Sequence, residues 1–196
     1  MRNTSIPVTK FVLLAGLALL MLLAACSVNV KKEKSGQDKD VDIRTPIGGI
    51  HVSKGANAED VGVPVYPGAH LKQKDDDGNN KSANVNISGF GFGLRVIALE
   101  YESTDAPDKV VAYYKDQLKK YGNVLVCHTT HLNLDTKPTH GEAGSHELTC
   151  EGPSGNSIEL KVGTKENQHI VAVEPQGNGS SFTLVYVRTH GKDAEI

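Results

Sequence analysis

Residues 94–122 read LRVIALEYESTDAPDKVVAYYKDQLKKYG, and this stretch decides the fold because its hydrophobic pattern changes from that of a strand to that of a helix. Up to Tyr101 the residues are largely apolar on both alternating faces, which is typical of a strand covered on both sides. Beyond Pro107, apolar side chains recur every three or four positions, as on one face of a helix. The stretch therefore predicts an amphipathic helix packed on a sheet.

The predicted helix has both a start signal and a stop signal. Asp105 is placed to act as the N-cap, Pro107 fits the first turn, and Asp108 lies at the position that faces the cap. Gly122 provides the stop. The expected apolar face consists of Val111, Tyr114, Leu118 and Tyr121.

The longest strand-like region, residues 85–103, includes the glycine- and phenylalanine-rich run at 89–93. Glycines within a strand permit bending or close backbone approach, so we interpret the run as part of a strand. If exposed, the run would instead be a surface for a partner or for lipid. A period of two places on one face the residues Phe90, Phe92, Leu94, Val96 and Ala98.

Further strand patterns lie before and after the helix. Residues 41–45 and 50–52 alternate around a turn, which predicts an N-terminal β-hairpin that either joins the main sheet or stands alone. After the helix, five runs separated by turn residues predict an antiparallel meander over 124–130, 146–150, 157–162, 169–174 and 182–188. The predicted fold class is α+β, an antiparallel β-sheet with one amphipathic α-helix packed on it, plus the N-terminal hairpin.

The N-terminus has the features of a secretory signal, with the basic residues Arg2 and Lys10, an apolar run over 11–25, and small residues before Cys26. The run is shorter than the roughly 20 residues that a transmembrane helix needs. The segment Leu23-Ala24-Ala25-Cys26 resembles the lipobox of bacterial lipoproteins. That resemblance implies cleavage before Cys26 and acylation of this residue, for example with palmitate, and two or three acyl chains make a lasting anchor. An ordinary signal peptide with a chance cysteine is the alternative.

These patterns divide the chain into four parts. Residues 1–25 are the predicted lipoprotein signal peptide, and residues 26–40 are too polar to offset the entropy of folding, which predicts a flexible tether. Residues 41–62 contain the hairpin and a linker. Residues 63–190 form the predicted α+β globular domain.

The expected location is the cell envelope, with the protein exported and held by lipid. Ser27, rather than an aspartate, follows the lipidated position, and in bacteria with two membranes such a residue permits transport to the periplasmic side of the outer membrane. Loss of Arg2 and Lys10 with the signal leaves a net charge of about −4, which does not favour nucleic-acid binding. The expected partners are the membrane, through the lipid, and another envelope protein.

Two further cysteines, Cys127 and Cys150, make an even pair in an exported chain and therefore predict a disulfide. If they face each other in a regular antiparallel ladder, His131 faces His146 on the same side of the sheet. Two imidazoles so placed could bind Zn²⁺ or Cu²⁺, while exposed histidines near a hairpin tip are the alternative. The additional ligands would be His128 or His140. We assign no metal and no other cofactor.

A second resemblance covers residues 63–188. Val65-Tyr66-Pro67-Gly68-Ala69, followed by the helix residues 105–115, Leu118 and Gly122, is similar to a module of uncharacterised bacterial lipoproteins. In that module a YPGA strand entry precedes a helix that reads roughly FYK..L...G, with strands after it. The resemblance implies an α+β envelope domain and implies no activity.

The sequence contains no His-Glu-x-x-His helix, no Gly-x-Ser-x-Gly elbow and no phosphate-binding loop. The acidic run at 75–80 lacks the ligand spacing of a calcium loop. We therefore expect a non-enzymatic, lipid-anchored envelope protein that presents a small α+β domain for binding or structural interaction. The alternatives are a metal- or small-ligand-binding lipoprotein that uses His131 and His146, and a hydrolase with an unrecognised site.

Overall fold

The computed structural model describes residues 27–32, 39–53, 55–72, 82–89, 91–130 and 146–191. The helices in these ranges are α1 (Ala58–Val61) and α2 (Pro107–Leu118), and a 3-10 helix over Lys119–Tyr121 continues α2. The strands are β1 (Ser27–Lys32), β2 (Lys39–Thr45), β3 (Gly48–Ser53), β4 (His70–Leu71), β5 (Ser82–Gly89), β6 (Phe92–Ser103), β7 (Leu125–Thr129), β8 (Ser157–Thr164), β9 (Asn167–Gln176) and β10 (Gly179–His190).

The strands form one antiparallel sheet in the order β1-β2-β3-β5-β6-β10-β9-β8-β7. The short strand β4 pairs with β6 beyond the end of β5 and extends the same edge. Strands β7 to β10 pair in sequence as a meander, as predicted, and β10 then returns to pair with β6. The predicted α+β fold class, with one long helix on an antiparallel sheet, is confirmed.

Only one side of the sheet, which we call the helix face, receives α2. The helix packs on β8, β9 and β10, where Val110, Tyr114 and Leu118 are fully buried. The predicted amphipathic helix is therefore confirmed, although Val110 rather than Val111 makes the deeper contact. The strand residues of this core are Ile97, Leu99, Tyr101, Leu160, Val162, Val171, Val173, Phe182 and Leu184.

The opposite side of the sheet, which we call the second face, has a smaller apolar core. Ile170, Val185 and Val187 are buried there, and Val96 and Ala98 pack against them. These residues alternate along their strands with those of the helix face, as side chains in a strand must. The central strands are therefore apolar on both faces, as the pattern of residues 94–101 predicts.

The start of α2 differs from the prediction. Ala106 is the N-cap and makes no side-chain capping bond, so the assignment of Asp105 as N-cap is wrong. The Asp105 carboxylate instead accepts hydrogen bonds from Lys109 Nζ at 2.7 Å and from Tyr66 Oη at 2.9 Å, and these bonds hold the pKa of Asp105 below its usual range. At the other end, Gly122 has φ of 132° and ends the 3-10 helix, as predicted for a stop that requires glycine.

Tyrosines fasten the segment before β4 to the helix. The backbone N–H of Tyr66 donates to Tyr114 Oη at 3.0 Å, and the Tyr114 side chain is fully buried. Burial raises the pKa of Tyr114, so its hydroxyl stays neutral and serves as an acceptor. The ring of Tyr113 packs edge-on against the Tyr66 ring at 5.2 Å between centroids. The tyrosine pair of the helix therefore serves packing and anchoring.

The N-terminal hairpin joins the main sheet, which resolves the alternative left open by the sequence. Strands β2 and β3 pair around a turn at residues 46–47, and β3 pairs with β5 from Gly48 opposite Gly89 to Ser53 opposite Asn84. The hairpin and the globular domain are therefore parts of one continuous sheet.

The prediction of a flexible tether over 26–40 is wrong for β1, which pairs with β2 along its whole length. The register places Val28 opposite Ile43 and Val30 opposite Val41. β-Branched residues at alternating positions favour a strand once a neighbouring strand supplies backbone partners, and here this outweighs the polar composition. Cys26 and residues 33–38 lie outside the described residues.

A turn interrupts the glycine-rich run, so the prediction of one strand through it is wrong. Strand β5 ends at Gly89, β6 begins at Phe92, and Gly91 between them has φ of 80°. Glycine adopts this left-handed conformation without strain, which makes a tight hairpin available at this point. Phe90 lies outside the described residues.

Tyr114→Phe is expected to lower the free energy of unfolding by about 1–3 kcal/mol, because the buried N–H of Tyr66 loses its acceptor. Urea denaturation of the exported chain, followed by circular dichroism, measures the change. Tyr113→Phe, at the preceding residue, is the matched control, since the Tyr113 hydroxyl makes only a 3.5 Å contact with the Val65 carbonyl. Equal losses in the two variants would contradict this account.

Candidate functional site

The two remaining cysteines form the predicted disulfide, with 5.4 Å between their Cα atoms. Cys127 lies in β7 and is buried, while Cys150 is exposed in a segment without regular structure. The predicted strand over 146–150 is therefore absent, and the ladder partner of Cys127 is Glu159 of β8. The bridge forms because Cys150 approaches β7 through its side chain, without the backbone ladder that the predicted register assumed.

One member of the proposed histidine pair, His146, lies among the described residues, whereas His131 does not. His146 Nδ1 lies 3.0 Å from Glu166 Oε1, and His128 is exposed on β7. Partial burial would raise the pKa of Glu166, but the hydrogen bond from His146 and others outweigh it and lower this pKa. His131 and His140 lie outside the described residues. In the part of the chain that the structure describes, no group of three or more potential metal ligands is present. The metal-binding alternative therefore stays a prediction.

Charged groups on the second face near the disulfide are engaged with one another. Lys161 Nζ lies 3.1 Å from Glu159 Oε2, and both side chains are nearly buried. Farther across the sheet, Lys72 Nζ donates to Glu100 Oε1 at 2.7 Å and to Ser181 Oγ at 3.0 Å. Pairing of this kind offsets part of the cost of removing charges from water, so these groups contribute to the structure of the sheet.

An apolar surface crosses the same face at the other end of the sheet. The registers of β2, β3, β5 and β6 align two rows of aliphatic residues, one of four valines and one of isoleucines that ends in a leucine. Ile50 is 39% exposed and the others are partly exposed. We call this surface the aliphatic strip, and it consists of Val41, Val52, Val85, Val96, Ile43, Ile50, Ile87 and Leu94.

Polar residues occupy the reverse side of these strands. A shallow depression there is lined by residues that include Asp42, His51, Asn86 and Ser88. Arg44 Nη2 lies 2.9 Å from Asp42 Oδ2 at its edge. The hairpin end of the sheet is therefore amphipathic, with the strip on one side and hydrogen-bonding groups on the other.

A buried histidine, His169, was not singled out by the sequence. Its ring stacks on Tyr121 at 3.9 Å between centroids and lies 5.0 Å from Tyr186. Burial lowers the pKa of His169, and the charge of Lys120 lowers it further, while a hydrogen bond to the Val61 backbone opposes the change. The surroundings therefore favour the neutral form of the imidazole. Only its place in a predicted strand was visible in the sequence.

No protein family, curated protein or solved structure matches this chain. The resemblances to the lipobox and to the YPGA module therefore stay predictions. No helix in the described ranges combines the length and the apolar sequence needed to cross a bilayer. What the structure offers as a site is the aliphatic strip, together with the disulfide at the other end of the sheet.

Loss of the disulfide is expected to lower the free energy of unfolding by about 3 kcal/mol, given the 23-residue separation of its cysteines. Cys150→Ser is the suitable variant because Cys150 is exposed, and the buried Cys127 then keeps its packing. Urea denaturation with and without reductant measures the effect. Reductant should destabilise the parent chain to the level of the variant and leave the variant unchanged, and any other pattern contradicts the prediction.

Neutral His169 predicts a loss of stability in acid. Its pKa is lowered in the folded protein, so below about pH 6.5 the unfolded chain binds a proton that the folded chain resists, and stability falls as the pH falls. His169→Phe is expected to flatten the dependence of unfolding free energy on pH between about 7 and 5. His128→Phe, at an exposed position, is the control and should leave the slope of the parent protein. Identical slopes in all three proteins would refute the assignment.

Proposed function

We propose that this protein is a non-enzymatic, lipid-anchored component of the cell envelope that presents its β-sheet for interaction. The observation that carries the proposal is the signal-like N-terminus ending in Leu23-Ala24-Ala25-Cys26. Acyl chains on Cys26 would hold the sheet at a membrane. In a host with two membranes, Ser27 favours the periplasmic side of the outer membrane.

The disulfide supports export. Disulfides persist in oxidising compartments and are rare in the cytosol of most organisms. The bond between Cys127 and Cys150 joins β7 to a segment that lacks strand structure. The disulfide therefore holds this segment at a place where no backbone pairing with β7 does so. Such a bond is suited to the oxidising conditions of the envelope.

The polar groups support a role in interaction. The charged side chains of the second face named above are paired with each other, as in Glu159 with Lys161 and Lys72 with Glu100. A catalytic acid or base exchanges a proton with a bound substrate. Each of these carboxylates is instead paired with a lysine of the folded sheet, which supports a structural role for the pairs. The expected partners are the membrane and another envelope protein, and nucleic acid is not among them.

Lipidation of Cys26 gives the direct test. We expect mass spectrometry of the native protein to show residue 26 as the first residue, carrying acyl chains, and detergent extraction to be required for its release from membranes. Cys26→Ser should abolish both properties. Cys150→Ser is the matched cysteine control and should keep the lipid. A native product with an unmodified residue 26, or with another N-terminus, would overturn the proposed function.

A further inference from the structure

We propose that the aliphatic strip lies on the surface of the lipid bilayer, so that the hairpin end of the anchored sheet rests on the membrane with its second face. This inference deepens the proposed function and rests on it for the position of the anchor. The strip spans four adjacent strands and has no charged residue in either of its two rows. A contiguous apolar surface of this kind marks a site of contact with a protein or a membrane.

The position of the anchor identifies lipid as the occupant. Cys26 directly precedes Ser27, the first residue of β1, so no spacer separates the acylated residue from the sheet. Strand β1 pairs with β2, where Val41 and Ile43 begin the strip. An anchor attached at this edge holds the strip at a high local concentration beside the bilayer, independently of any other protein.

Two exposed apolar side chains lie at the end of the strip nearest the anchor. Ile47, in the turn between β2 and β3, is 58% exposed, and Phe92, at the start of β6, is 49% exposed. The register brings these positions to the same end of the sheet as Ser27, since Gly48 is opposite Gly89 and Gly89 is opposite Phe92. Large apolar residues at this end can enter the boundary between head groups and acyl chains.

The reverse side of the same strands suits water. Asp42, Arg44, His51 and Asn86 lie there and offer charged and hydrogen-bonding groups. This division between an apolar and a polar side is the one found in interfacial amphipathic elements that lie in the plane of a membrane. A second copy of the chain stacked on the strip would use the same apolar surface, and the experiment below distinguishes the two occupants.

Tryptophan fluorescence tests the proposal, because the chain contains no tryptophan. Phe92→Trp places the probe at the end of the strip, and Asn86→Trp places a matched probe at an exposed position on the reverse side. The lipidated proteins are reconstituted into vesicles of phosphatidylethanolamine and phosphatidylglycerol, with and without brominated acyl chains. We expect an emission shift to shorter wavelength and strong quenching by brominated lipid for the probe at 92, and neither effect for the probe at 86.

The outcomes separate this proposal from the proposed function. Lipidated protein that sediments with vesicles but shows no quenching at position 92 overturns the proposal and leaves the anchor intact. If native residue 26 is unmodified, the proposed function fails, and the unlipidated chain then tests the strip by itself. A vesicle-dependent emission shift of the probe at position 92 supports the strip as a membrane surface. The absence of this shift overturns the proposal. A shift that depends on protein concentration without vesicles identifies a second copy as the occupant and also overturns it.

Substitution within the strip gives an independent measurement. Ile50→Asn should weaken partition of the unlipidated chain into these vesicles by roughly tenfold, because one large aliphatic side chain is lost from the contact. His51→Asn, the neighbouring residue on the reverse side of β3, should leave partition unchanged. Circular dichroism and thermal unfolding establish that both variants are folded. Equal partition of the two folded variants would overturn the proposal.

Discussion

Pairing of β6 with β10 joins the two halves of the sheet, and the remaining strands attach to one side or the other of this pair. Its register runs without interruption from Ser180 opposite Ser103 to His190 opposite Gly93. The chain between these strands contains α2 and the rest of the meander, so the pair closes a long loop whose entropy must be offset. Burial on both faces provides the offset, with Leu184 on the helix face and Val185 on the second face fully buried.

The elements that the sequence could predict are those that depend on local spacing. The helix follows from its three- and four-residue spacing, and the meander follows from alternating runs between turn residues. Asp105 shows the limit of such reasoning, since its position before Pro107 satisfies the capping rule. In the folded chain the Asp105 carboxylate instead accepts hydrogen bonds from Lys109 and from the hydroxyl of Tyr66, which is distant in sequence. Local rules cannot rank a cap against a tertiary partner.

The candidate site was less predictable for the same physical reason. Alternation within residues 41–45 and 50–52 was visible, but their alignment with β5 and β6 into one surface depends on pairing between separate segments. Strand β1 could not be predicted because its segment is polar, and it is a strand through its pairing with β2. The disulfide could be predicted by counting cysteines, whereas its register could not, because Cys150 reaches β7 through its side chain alone. The stack of His169 on Tyr121 likewise exists only in three dimensions.

The uneven cover of the sheet gives the two ends of the molecule different roles. Where α2 lies on β8, β9 and β10, apolar residues of the helix face are sealed inside the protein. At the hairpin end the order is reversed, since polar groups occupy the helix-face side and the aliphatic strip occupies the second face. Such an arrangement leaves apolar area partly in water, which is unfavourable unless another surface covers it. Under the proposed lipidation, the residue that carries the acyl chains is joined directly to the strand at that edge. The anchor and the strip then act on one membrane together, so that the same end of the sheet fixes both the attachment of the protein and its orientation.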